Sequence, residues 1–86
     1  CGVPMEKSVH SEPYAVFLAS LIEARKQLGV SQVELAQRLG KPQSFISKIE
    51  IGERRLDVLE FLQIMRALED DPRPIISKVQ ASLDTL

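Results

Sequence analysis

The chain carries a single cysteine and a single histidine among its 86 residues. One cysteine excludes an internal disulfide, which suits the reducing cytoplasm. His10 has no second histidine and no nearby cysteine to complete a metal site, and in a polar segment it has no positioned partner for general base chemistry. There is no glycine-rich phosphate loop, no CxxC or HExxH, no acid pair spaced for glycoside chemistry, and no Ser, His and acid set able to converge. These absences argue against an enzyme, a metal centre or a cofactor. No apolar run approaches the roughly 18 residues of a membrane span, and nothing resembles a secretory signal. An excess of basic charge is missing too: 11 Lys and Arg stand against 12 Asp and Glu, for a net charge of -1, whereas nucleic-acid binders usually carry a basic footprint.

What is present is ordinary in amount and uneven in placement. An apolar fraction of 44% with 27% charged residues describes one domain with a small core. From Arg38 to Arg55, five basic residues (Arg38, Lys41, Lys48, Arg54, Arg55) face two acids (Glu50, Glu53), a local +3. From Asp57 to Asp71, five acids (Asp57, Glu60, Glu69, Asp70, Asp71) face Arg66 alone, a local -4. The chain is polarised rather than neutral. Phosphate neutralisation by one copy would be modest, which favours a dimer that doubles the contacts.

Apolar spacing and punctuation predict helices throughout. Residues 1–12 show no periodicity and hold Gly2, Pro4, Ser8 and Ser11, the composition of a flexible tail. Cys1 to Pro4 read as a remnant ahead of a natural start at Met5, with a lipid-modified N-terminal cysteine as the alternative. Pro13 can open a first helix whose Tyr14, Phe17, Leu18, Leu21, Ile22 and Leu28 form a core stripe. Gly29 ends it, just after Arg25 and Lys26, cations well placed for the helix dipole.

Ser31 with Glu34 then spells a capping box for a second helix, with Val33, Leu35, Ala36 and Leu39 inward. Gly40 suits the left-handed residue that closes it, and Pro42 both opens the next helix and keeps Lys41 out of helical geometry. That third helix, roughly Pro42 to Glu50, has two unlike sides. Advancing about 100° per residue, Pro42, Ile46 and Ile49 share one side and Gln43, Ser44, Ser47 and Lys48 the other, with Phe45 on the boundary. The polar side has hydroxyl, amide and ammonium groups and almost no acid, the donor and acceptor types that read base edges and phosphates.

After Gly52, Arg54 and Arg55 lie in a loop where they either reach flanking phosphates or pair with Glu50 or Glu53. Asp57 and Glu60 spell a second capping box for a helix with Val58, Leu59, Leu62, Met65 and Leu68 inward and Phe61 and Ile64 on its flank. Residues 70–74, rich in Asp and Pro, read as a linker. A final helix over 75–86 repeats Ile75, Ile76, Val79 and Leu83 at helical spacing, either capping the core or forming a dimer surface through Ile75, Val79 and Leu83. Dimerisation is the favoured reading, because half-sites one turn of duplex apart require two-fold symmetry.

Gly29-Val30-Ser31-Gln32, Glu34-Leu35-Ala36, Leu39-Gly40, Gln43-Ser44, Ile46-Ser47-Lys48-Ile49-Glu50, Gly52 and Arg54-Arg55-Leu56 together resemble the helix-turn-helix regulators of the Cro/lambda-repressor (XRE-like) superfamily. The resemblance runs from about Leu21 to Leu68. It implies an all-α lambda-repressor-like domain over 13–69 with helices 2 and 3 as the DNA-reading unit; the last helix lies outside the family's minimal four-helix pattern and makes the expected architecture five-helix. It further implies a partly buried ion pair between Arg25 and Glu50, base contacts from Gln43, Ser44 and Lys48 with Ser47 beside them, and a phosphate contact from Gln32. With Lys41 and Arg54 from the basic stretch, these residues form the expected interface to double-stranded DNA. Two departures stand out: Pro42 replaces the hydroxyl residue usual before the third helix, and Ile51 stands where relatives often carry a polar or basic side chain. Phe45 either meets a thymine methyl or packs. The function implied is a dimeric, cytoplasmic transcriptional regulator, most simply a repressor. The alternatives are an antitoxin that also binds a toxin, and a protein-interaction module that has kept the fold without DNA.

Overall fold

The computed structural model describes residues 12–85, and these form five helices and no strand. They are α1 (Glu12–Gln27), α2 (Gln32–Leu39), α3 (Gln43–Glu50), α4 (Val58–Leu68) and α5 (Arg73–Asp84). The tail expected over 1–12 lies outside the described residues except for Glu12, which already belongs to α1.

Helix ends are set by local chemistry. At the start of α2, the Ser31 hydroxyl accepts the Glu34 amide at 3.0 Å. The expected reciprocal half of that box is replaced by an ion pair, because the Glu34 carboxylate turns forward to Arg38 at 2.7 Å. At the start of α4 both halves form: the Asp57 carboxylate takes the Glu60 amide, and Glu60 reaches back to the Asp57 amide. Pro42 sits just before α3 as its extended N-cap, and Gln43 is the first helical residue.

Three helices end in the same closure, in which the amide after a left-handed residue bonds back to the carbonyl five positions earlier. Val30 donates to Arg25 O, Lys41 to Ala36 O and Asp70 to Met65 O. The left-handed residue is Gly29 in the first and Gly40 in the second, where a missing Cβ makes positive φ easy. In the third it is Glu69, at φ 58°, where a side chain must tolerate it.

The core gathers one side of every helix: Leu18 and Leu21 from α1, Leu35 and Ala36 from α2, Ile46 and Ile49 from α3, Phe61, Ile64, Met65 and Leu68 from α4, and Ile75 from α5. Ala36 is small where α2 crosses α3, and α5 lies along α1. Phe17 meets Phe61 edge to face with ring centroids 5.0 Å apart.

Several inward assignments differ from the sequence expectation. On α4, Phe61 and Ile64 are buried while Val58, Leu59 and Leu62 face outward. The helix is apolar around most of its circumference, so two overlapping sets of i, i+3, i+4 spacing exist and periodicity does not rank them. Val33 is exposed because it lies two residues, about 200°, from buried Leu35. Leu28 falls in the turn after α1 and is exposed, and Val30 fills the core in its place. The linker is shorter than 70–74, since α5 begins at Arg73, whose amide is accepted by the Asp71 carboxylate at 3.0 Å. Ile75, expected on a dimer surface, is 5% exposed and belongs to the core of the chain itself.

One polar interaction crosses this core. Arg25 Nε donates to Glu50 Oε2 at 2.7 Å and Nη2 to Glu50 Oε1 at 3.0 Å, while Nη1 donates to the Val30 carbonyl at 2.8 Å. The two side chains are 9% and 7% exposed, so the pair is desolvated and joins the end of α1 to the end of α3. Removing one partner strands a buried charge: Arg25→Met is expected to cost about 3 kcal/mol in urea denaturation, and adding Glu50→Leu to recover most of it. Conversely, Glu69→Gly should relieve left-handed strain and stabilise the fold by about 1 kcal/mol, read as a thermal midpoint about 5 °C higher.

Candidate nucleic-acid interface

The turn from α2 into α3 fixes which side of α3 is left uncovered. Ile46 and Ile49 are each 1% exposed and anchor α3 from beneath. That orientation leaves Gln43, Ser44 and Lys48 exposed and Ser47 half-buried, all on the side away from the core. Lys41, in the turn before α3, is also exposed. Phe45 is half-buried and packs against the core edge.

A hydrogen-bonded chain links the buried ion pair to this surface. Glu50 Oε1, already held by Arg25, also accepts from Gln32 Nε2 at 2.8 Å. Gln32 Oε1 in turn accepts from Gln43 Nε2 at 2.9 Å. A carboxylate only accepts, so the Gln32 amide must present its NH2 to Glu50 and its oxygen to Gln43. By the same logic Gln43 must present its NH2 to Gln32. The oxygen and second amide hydrogen of Gln43 keep no partner among the described residues, and together they form an adjacent donor and acceptor. A side-chain amide in that state matches the N7 and N6 groups of adenine in a major groove.

The bond between Gln32 and Gln43 carries no sequence signal of its own, since it depends on how two helices cross. Gln32, expected at a phosphate, is half-buried and has both ends of its amide engaged by protein. Among the described residues, Lys48 forms no ion pair.

The expected phosphate arm is arranged differently from the sequence reading. Arg54 is held by neither Glu50 nor Glu53: its Nη1 and Nη2 donate to the two oxygens of Glu60 at 2.9 and 3.0 Å. Hydrogen bonding to Arg54 holds the Glu60 carboxyl below the usual carboxylate range and raises Arg54 in turn. The Arg54 guanidinium also lies over the Phe45 ring, 4.7 Å from its centroid. Arg55 lies over Tyr14 at 4.6 Å, and the Tyr14 hydroxyl accepts the Leu56 amide at 3.2 Å. The loop after α3 is thereby tied to both α1 and α4.

Elsewhere on the molecule, Pro13, Tyr14, Phe17, Phe61, Leu62, Ile76, Val79 and Leu83 contribute to an open apolar groove of about 480 Å³ between α1, α4 and α5. No group of His, Cys, Asp and Glu among the described residues is placed to hold a metal ion. No helix among them is long and apolar enough to cross a membrane.

Comparison with known proteins agrees with this geometry. A helix-turn-helix family model matches residues 21–69, which contain α2, the Gly40 turn and α3 in full. Among solved structures, an XRE-family-like protein from Pseudomonas syringae pv. tomato str. DC3000 superposes with a TM-score of 0.80 at 48% sequence identity, covering 90% of this chain and 94% of that one. No curated protein matches. With the family model spanning more than half of the chain and the bacterial structure aligned over nearly all of it, the chain belongs to the XRE-type helix-turn-helix family of DNA-binding transcriptional regulators.

Proposed function

We propose that this protein binds duplex DNA sequence-specifically as a homodimer and represses transcription by occupying promoter sequence, with α3 in the major groove. The observation that carries this reading is the uncovered outer side of α3, where Gln43, Ser44 and Lys48 are exposed while Ile46 and Ile49 are locked inward. A solvated helix held there only for solubility would carry acids among its cations; this side carries none. Gln43 is the base reader best supported, because its amide orientation is dictated by Gln32 and, behind it, by the buried ion pair. Lys48 donates to guanine acceptors or to phosphate, and Ser44 and Ser47 supply hydroxyls at the same surface.

Dimerisation follows from the symmetry of half-sites. The surface that supports it is the apolar groove with Val58, Ile76 and Leu83 at its margins, of which Val58 is 71% exposed. Of the three residues first expected to form the dimer, Leu83 and half-buried Val79 line this groove; Ile75 does not.

Selection of bound sequences from a random duplex pool tests the function directly: enrichment of a two-fold symmetric site is expected, and recovery of no preferred sequence would contradict specific reading. On that site Gln43→Ala should cost about 1 to 3 kcal/mol and relax preference at one base position; equal loss on unrelated duplexes would reassign Gln43 to the backbone. Leu83→Glu, at a position 52% exposed, should convert a sedimenting dimer into a monomer that stays folded, with its thermal midpoint lowered only by the loss of association. An unchanged sedimentation coefficient would remove Leu83 from the interface.

A further inference from the structure

Charge is gathered around Phe45 in a way the base-reading surface does not require. Phe45 lies on the boundary of α3 and two cations sit over its ring, Lys41 Nζ at 5.3 Å and Arg54 Cζ at 4.7 Å from the centroid. They come from opposite ends of the reading helix: Lys41 from the turn that precedes α3, Arg54 from the loop that follows it. Two like charges would ordinarily separate; the negative face of an aromatic ring offsets that repulsion. Glu60 holds Arg54 from behind, and Lys41 adds to the field that keeps the Glu60 carboxyl ionised. With two cations and one carboxylate, the cluster keeps one unbalanced positive charge at the flank of α3. Arg54 Nε has no acceptor among the described residues, and neither does the Lys41 ammonium.

We propose that Phe45 is a positioning residue for phosphate binding, its ring gathering Lys41 and Arg54 into one cationic clamp that takes the DNA backbone beside the groove read by α3. The proposal rests on the DNA-binding reading above. In this arrangement Phe45 touches no base, and Glu60 serves to aim Arg54 rather than to neutralise it. Sequence discrimination stays with Gln43, Ser44 and Lys48; the clamp sets how strongly affinity depends on salt.

The test is the salt dependence of binding by the full chain to its selected duplex, for wild type, Phe45→Leu and Phe45→Trp. Leucine keeps the apolar packing and removes the quadrupole, whereas tryptophan restores it. For Phe45→Leu the slope of log affinity against log salt should become shallower by about one to two ionic contacts, and affinity in low salt should fall about tenfold. Base preference should not change, and Phe45→Trp should keep the wild-type slope. A Phe45→Leu slope equal to wild type overturns the clamp, and a changed base preference with it would make the ring a base contact. Should Phe45→Leu melt below the assay temperature, Lys41→Gln at an exposed position carries the same test, with a slope shallower by about one contact expected and an unchanged slope contradicting the proposal. Failure of wild type to bind any duplex would overturn the proposed function and this inference together, whereas binding by wild type with unaltered slopes in the variants would overturn this inference alone.

Discussion

The desolvated contact between Arg25 and Glu50 is the constraint from which the rest of the surface follows. Taking two charges out of water is costly, and their attraction compensates only when geometry is good and the remaining donors are satisfied. Here the guanidinium grips both carboxylate oxygens and closes on the Val30 carbonyl, and the carboxylate has one further donor in Gln32. Few rearrangements preserve all of those bonds, so the end of α3 is fixed against the end of α1. Because Glu50 can only accept, its preference passes outward through Gln32 to Gln43 and sets which way a surface amide faces. A buried charge pair thus determines the hydrogen-bonding polarity of a residue on the exposed side of α3.

Two surfaces with different chemistry result. The outer side of α3 is polar and basic, with Ile46 and Ile49 turned beneath. A second region, where α4 and α5 meet α1, presents exposed aliphatic side chains beside an acidic stretch. Between them the loop after α3 is held by two cation and ring contacts, Arg54 on Phe45 and Arg55 on Tyr14. Separation of this kind lets a chain of net charge -1 approach a polyanion, since what matters near a duplex is the local field rather than the total charge.

The helix-turn-helix unit was legible from sequence because independent local signals agree there. Ser31 as cap, Gly40 as left-handed closure, Pro42 as a stop before α3 and the opposed sets Ile46, Ile49 and Gln43, Ser44, Lys48 each allow few alternatives. The α4 face was not legible, since an almost wholly apolar helix offers two equivalent stripes and tertiary packing chooses between them. The ion-pair partner of Arg54 was missed for a related reason. Spacing offers several acids, and the partner is Glu60, a capping residue whose reach back across the loop depends on the path of residues 51–57. The link from Gln32 to Gln43 likewise needs the crossing of two helices, which residue order alone does not provide. Ile75 followed the apolar period of the last helix correctly; whether its side met α1 or a second copy was a question of packing.

Titration of isotopically labelled protein with its selected duplex, followed by amide chemical-shift changes, probes the central claim most directly. Shifts concentrated at Gln32, Lys41, Gln43, Ser44, Ser47 and Lys48, with Arg54 at the margin and little change along the outer side of α5, are the expected result. Saturable changes confined to α4 and α5, with the outer side of α3 silent, would contradict it.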